Sequence, residues 1–212
     1  GVGVIGTGWV AGEHLRARGR NPHVRVVGVA SRTREGAARK LQEAGIDCRV
    51  YDSYEVLLAD PGIDIVSVCT PPHLHAKIAV AAAEAGKHIC LEKPIALNPE
   101  DLRRLRDAVR ASGIKSVVSF VLRWNPLFET IKAFQADGGI GRVFYAECDY
   151  VHGCGPSLPQ FDWMIRKDTG GSAMLLGGCH AVDALRWFVG SEATEVCALA
   201  TRGGGEFSGA FE

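Results

Sequence analysis

The sequence predicts a doubly wound α/β domain of parallel strands followed by an α+β segment, and three observations carry that prediction. A short apolar run, Val2-Gly3-Val4-Ile5, meets a glycine turn and then a helical stretch. Runs of β-branched residues alternate with helix-length segments from there to about residue 123. Beyond that point the rhythm changes to helix, strand, helix, strand, strand.

Taken in order, the glycine turn over 6–12 leads a helix to Arg20 and a strand over 24–30, which together with the first strand make a βαβ unit. A helix over 31–44, a short strand over 49–51 and a helix over 53–59 follow. The run 65–70 has the composition of a strand buried on both faces of a parallel sheet. An Ala-rich helix over 75–85 is stopped by Gly86, and the next strand covers 88–91. Asn98 is a capping residue, Pro99 suits the first helical position, and Glu100 and Asp101 favour the first turn, so a helix to about Ser112 is predicted. A strand over 116–122 completes the first domain.

The second part reads as a helix over 126–136, a long alternating strand over 142–152, an irregular loop over 153–169, and a helix after Gly170-Gly171-Ser172 to about Val189. Strands over 195–202 and from Glu206 onward are joined by Gly203-Gly204-Gly205. The expected division is a dinucleotide-binding domain over 1–123 and an α+β domain over 124–212, its sheet left unfinished at Glu212 as if further sequence followed.

The 212 residues, 47% hydrophobic and 23% charged, exclude a disordered or collagen-like chain. Lys plus Arg number 24, as do Asp plus Glu, so no charge excess is available to neutralise a nucleic-acid backbone or an anionic membrane surface. No apolar run approaches the roughly 18 residues of a membrane span. Nothing at the start reads as a secretory leader, so a cytoplasmic location is expected. Seven cysteines without a C-x-x-C pair argue against a disulfide framework or a zinc knuckle, and no metal is expected.

Gly6-x-Gly8-x-x-Ala11 fits the dinucleotide fingerprint. Its first glycine permits the tight turn, its second lets backbone approach a pyrophosphate, and its third small residue lets helix pack on strand. After the second strand an acid would accept the ribose hydroxyls of NAD, but this chain has Ser31-Arg32-Thr33-Arg34. Two hydroxyls and two guanidiniums suit the extra phosphate of NADP, which is the expected cofactor with NAD as the alternative.

Thr70-Pro71-Pro72-His73-Leu74-His75 and Glu92-Lys93-Pro94 both fall at the carboxyl edge of the predicted sheet, where the ligand crevice of an open α/β fold lies. A lysine there could polarise or exchange a proton with a substrate hydroxyl. The glycines Gly177 and Gly178 inside a helical stretch cost about 1 kcal/mol each relative to Ala, so tight packing is expected there. His180 and Asp183, three apart on one helical face, could form a base with its orienting acid.

The chain resembles the Gfo/Idh/MocA family of NAD(P)-dependent oxidoreductases. Gly6-Thr7-Gly8, the Thr70 to His75 run, Glu92-Lys93-Pro94, Arg123-Trp124-Asn125-Pro126, Gly139-Ile140-Gly141-Arg142 and the Gly178 to Asp183 run arrive in the family's order. The resemblance implies an N-terminal Rossmann domain and a C-terminal domain with a mostly antiparallel sheet. It implies cofactor contacts at Gly6, Gly8, Trp9, Val10, Ser31, Arg32, Thr70, His73, His75, Glu92 and Lys93, with Lys93 and His180 catalytic and Asp183 in support. Many members carry an Asp four residues before the histidine; here that position is Leu176, and Asp162 or Asp168 would have to compensate.

The implied reaction is hydride transfer between a secondary alcohol of a sugar, cyclitol or related polyol and nicotinamide C4. The expected substrate groups are Lys93, Arg123, Trp124, Asn125, His152, Trp163, Arg166, Lys167 and His180, hydrogen-bonding groups around an aromatic wall. A homodimer or homotetramer through the C-terminal sheet is implied as well. Two rival readings stand beside this one: an NAD-dependent glycosidase with no net redox change, and a dinucleotide sensor without catalysis.

Overall fold

The computed structural model describes residues 1–153 and 155–199. Six parallel strands form one sheet: β1 (Val2–Ile5), β2 (Val26–Ala30), β3 (Arg49–Tyr51), β4 (Ile65–Val68), β5 (His88–Leu91) and β6 (Ser116–Val118). Their spatial order is β3-β2-β1-β4-β5-β6. The chain leaves β1 in one direction to build β2 and β3, then returns to the other side of β1 for β4. The strand order therefore reverses between β1 and β4, and an open α/β sheet binds its ligands outside the carboxyl ends of the strands at that point.

Side-chain alternation along the strands builds two cores. Val4 and Val29 face α1 (Trp9–Arg20) and α2 (Arg34–Ala44), where Ala11, Leu15, Ala37 and Leu41 are buried. Their neighbours Ile5 and Ala30 face the opposite side with Val66, Val68, Ile89 and Leu91. That core is closed by α3 (Tyr54–Leu58), α4 (His75–Glu84) and α5 (Pro99–Ser112), through Leu57, Ile78, Ala82 and Leu105. The starts of α2, α3 and α5 are capped locally: Thr33 Oγ1 accepts from the Gly36 N–H, Ser53 Oγ from that of Val56, and Asn98 Oδ1 from that of Asp101. Gly45 and Gly113 end α2 and α5 in the left-handed conformation.

Past β6 the described residues form helices: α6 (Pro126–Ala136), α7 (Phe161–Met164) and α8 (Cys179–Val189), the last entered through a π turn, Met174–Gly178. Side chains of α6 satisfy the last carbonyls of α8: Lys132 Nζ donates to Trp187 O at 2.7 Å and Gln135 Nε2 to Phe188 O at 2.6 Å. A cation there also complements the negative end of the helix dipole.

The strand predicted over 142–152 is not formed, nor is there strand at 195–199. A strand needs a neighbour to take its backbone groups, and among the described residues none follows β6. Phe144 and Val151 are accordingly 91% and 96% exposed. The remainder of the strand expected to 202, and the one expected from Glu206, lie outside the described residues.

Candidate active site

The glycine turn stands at the β1/β4 switch point. Gly6 has φ +97°, and a Cβ on it would come 2.5 Å from the Cys69 carbonyl oxygen, so only glycine fits. A Cβ on Gly8 would meet nothing within 4 Å, leaving open space over the start of α1. No side chain caps that helix start, so its N–H groups are available to a pyrophosphate. Trp9 lies exposed on this first turn, whereas Val10 turns its side chain into the core beneath α1. Thr70 Oγ1, at the end of β4, is buried without a partner, which suits a ligand hydroxyl or amide in the crevice. These features fit a dinucleotide.

At the end of β2, Ser31 Oγ lies 2.6 Å from Thr7 Oγ1 and ties the glycine turn to the second strand. Arg34 is drawn away to Asp52, through its Nε at 2.9 Å. Arg32 remains the exposed guanidinium held in no ion pair among the described residues. The two arginines read together in the sequence thus have different surroundings.

The sheet also explains an ion pair the sequence reading missed. Cys90 and Glu92 share one face of β5, and Cys69 lies beside them at the end of β4. His14 packs onto that face from α1, with Nε2 2.9 Å from Glu92 Oε1. Burial opposes charge on the imidazole, but hydrogen bonding with Cys69, Cys90 and Glu92 outweighs it and raises the pKa. Burial likewise opposes charge on Glu92, and His14 overcomes it and holds the carboxyl below its ordinary value. The available signal was helical spacing: His14 stands three residues after Ala11, on the face of α1 that meets the sheet.

His75 is 1% exposed and braces two loops, with Nδ1 2.6 Å from Pro94 O and Nε2 2.8 Å from Thr70 O. Both ring nitrogens thus face backbone carbonyls. Burial pulls its pKa down while the two carbonyls pull it back. A neutral ring can donate to only one of them. His73 is exposed and lines a cleft of about 490 Å³ together with Lys167, Asp168 and Asp101, apart from Lys93 and His180.

Lys93 follows β5, its peptide bond to Pro94 is cis, and its ammonium donates to the Leu176 carbonyl at 2.6 Å. That bond brings the π turn, and with it His180, onto the carboxyl edge of the sheet. His180 is 6% exposed, and its Nδ1 is buried without a partner. Its ring stacks on Tyr150 at 5.4 Å and takes the edge of Phe120 at 6.0 Å, two aromatics the sequence reading did not single out. His152 stacks on the same tyrosine at 6.1 Å. Burial, then the Lys93 charge, lowers the pKa of His180 below its ordinary value.

Two expected roles are corrected here. Asp183 makes a two-pronged ion pair with Arg123, both bonds 2.8 Å, so it anchors that arginine instead of orienting His180 by a hydrogen bond. Arg123 is held in this pair through Nε and Nη2. Asp168 pairs with Arg166 in solvent and Asp162 is exposed on α7. Among the described residues no carboxylate lies within ion-pair distance of Lys93, so neither aspartate replaces an acid at position 176. Trp124 is exposed, and Trp163 and Lys167 belong to the loop side near the cleft, not to the stack around His180.

A family model described as an oxidoreductase family with an NAD-binding Rossmann fold matches residues 1–120, and a Gfo/Idh/MocA C-terminal domain matches residues 128–210. The chain belongs to the Gfo/Idh/MocA family. It is similar to the levoglucosan dehydrogenase of Pseudarthrobacter phenanthrenivorans, 34% identical over 212 residues, with 94% of this chain and 54% of that one covered. It is 32% identical over 198 residues to the inositol 2-dehydrogenase of Rhizobium meliloti, covering 93% and 57%. A solved structure of levoglucosan dehydrogenase in complex with NADH and levoglucosan matches with a TM-score of 0.80 at 33% identity, over 89% of this chain and 54% of that chain. The chain spans about half the length of the relatives it matches. Within this Gfo/Idh/MocA chain, the turn before His180 presents a backbone carbonyl to Lys93 where the resemblance led one to look for an aspartate.

Proposed function

We propose that this protein is an NAD(P)-dependent dehydrogenase acting on a secondary alcohol of a sugar, cyclitol or related polyol. The carrying observation is His180: buried, with an unpartnered Nδ1 and a lowered pKa, on the turn that Lys93 grips at the cofactor edge. The relatives named for levoglucosan and inositol oxidation support the substrate class.

When bound, the nicotinamide supplies the hydride acceptor. His180, neutral near pH 7, takes the hydroxyl proton as the carbinol C–H bond is broken. The Lys93 ammonium faces the oxygen on which charge develops and stabilises it as an alkoxide. Glu92, fixed by His14, and Thr70 Oγ1, buried without a partner, would help to hold the dinucleotide in the crevice. Tyr150 and His152 form the aromatic wall of the polyol subsite, while His73 and Lys167 border the neighbouring cleft.

Residues 1–123 would hold the dinucleotide and 124–212 the substrate. NADP is the proposed cofactor, with NAD as the alternative, because Arg32 is left free to meet a 2′-phosphate while Arg34 is held by Asp52. Assembly into a dimer or tetramer would cover the exposed Phe144 and Val151, and light scattering of the complete protein tests it.

The test is reduction of each nicotinamide cofactor by a panel of anhydro sugars, aldoses and cyclitols. A neutral base predicts that kcat/KM rises with pH through a value below the ordinary imidazole 6.5 and then levels. Cofactor binding with no reduction by any polyol would replace this reading with the sensor.

A further inference from the structure

We propose that Tyr150 is a positioning residue for His180, whose ring face holds the imidazole in place and stabilises the imidazolium formed when the alcohol proton is taken. This rests on the dehydrogenase reading above. In that reaction the carbinol gives its hydroxyl proton to His180 and its hydride to nicotinamide C4, and becomes a carbonyl. A positive charge therefore has to appear on a ring that is 6% exposed.

The surroundings of that ring oppose the charge. Burial disfavours it, and the Lys93 ammonium repels it. Glu92 and Asp183 attract it, but each already has a cation of its own. Asp183 is held by Arg123 through two bonds of 2.8 Å, and Glu92 lies 2.9 Å from His14. Burial pushes the neighbouring Cys179 thiol up, which keeps it neutral near pH 7.

The rings packed against the imidazole are aromatic. Phe120 meets it at 85° and Tyr150 at 27°, so of these two the tyrosine lays its face along the ring. An aromatic face carries the negative part of the ring quadrupole, and a centroid 5.4 Å away is within the roughly 6 Å reach of a cation–π contact. The attraction is stronger for the imidazolium than for the neutral base, and an interaction that strengthens toward the transition state is one that raises kcat. Tyr150 is steadied in turn by His152, the other imidazole on it, whose ring lies 7° from parallel. On the side of the π turn a Cβ at Gly177 would come 3.0 Å from the tyrosine ring, so the glycine there leaves the ring room to lie flat.

Tyr150 also covers His180, and drying a ring opposes its charge whereas a facing quadrupole favours it. Fluorination separates the two effects, because it withdraws charge from the ring face and leaves the cover in place. In the complete protein Tyr150→Phe keeps the face and should hold kcat within about twofold. Phenylalanines with progressively fluorinated rings at position 150 should then lower kcat in steps, ending about threefold to thirtyfold below Tyr150→Phe. The midpoint of the kcat/KM profile should fall with them by about 0.5–1.5 pH units. A profile that does not move with fluorination would overturn the proposal and leave the tyrosine as a cover. A loss already complete in Tyr150→Phe would overturn it in favour of the hydroxyl.

A readout independent of activity is NMR titration of the His180 ring in protein carrying isotopically labelled histidine, its signal assigned by its disappearance in His180→Asn. Without substrate the titration midpoint should fall along the same fluorinated series. A midpoint that stays in place would overturn the proposal whatever the kinetics. A midpoint that falls in a protein that oxidises no polyol would instead sink the dehydrogenase reading and leave the stabilising contact intact.

Discussion

At the sheet edge the ionisable groups of the site end on protein partners: Glu92 on His14, and His75 on two carbonyls. On α8 His180 keeps a buried nitrogen without one. The sheet-edge ionisable groups are paired by folding and hold loops at fixed distances, while Thr70 Oγ1 is the polar atom left there without a partner. The second region stays incomplete until something binds, and so bears an unpaid desolvation cost that a substrate would relieve. Substitutions should therefore cost stability in the first region and rate in the second.

The largest effect is expected at His180. His180→Asn keeps a polar, planar side chain but removes the base, and kcat should fall about 10²- to 10⁴-fold with little change in Tm. His14→Ala should do the reverse. It strands a buried carboxylate, so urea unfolding should show a loss of about 3–5 kcal/mol. The pH dependence sharpens the contrast. Glu92, its pKa lowered from 4.5, stabilises above that value and loses the contribution as pH falls through its folded pKa. His14, its pKa raised from 6.5, stabilises below that value and loses the contribution as pH rises through its folded pKa. The pair's contribution is thus whole between about 4.5 and 6.5, and the His14→Ala protein should lack that window.

Gly6→Ala tests the turn itself. The added carbon meets the Cys69 carbonyl at 2.5 Å and forces an alanine to φ +97°. Strain of about 1–3 kcal/mol should appear as weaker binding of NADPH and NADH alike in a fluorescence titration. Arg32→Ala should separate the two cofactors, weakening NADPH about tenfold and leaving NADH unchanged. The smallest effect belongs to Asp52→Asn. Both partners of the Arg34 pair are exposed, at 64% and 72%, so thermal unfolding should not move. The freed Arg34 should strengthen NADPH binding a few-fold, roughly twofold to fourfold.

Legibility in the sequence divides along the same line. The four central strands and the helices α2, α3, α5 and α6 follow from local signals, because a strand buried on both faces is apolar and Thr33, Ser53, Asn98 and Asn125 each cap the helix they precede. The placements of Gly6 and Lys93 were legible as well, since each follows from a turn or a strand end. The contacts of His14, Tyr150 and Phe120 were not, because each reaches its partner across elements far apart in the chain. His180 and Asp183 share a helical face as expected, yet Arg123 captures the acid from 60 residues away. The strand over 142–152 failed for a related reason: alternation marks a face, but a partner strand decides whether there is a ladder.

Deuterium at the carbinol carbon of the best polyol gives the most direct test of the central claim, that His180 and Lys93 hold an alcohol for hydride transfer. Mass spectrometry of the recovered cofactor should show the label on the reduced nicotinamide with wild-type protein and little or none with His180→Asn. Label lost to solvent, or transferred equally well by the His180→Asn protein, would contradict it.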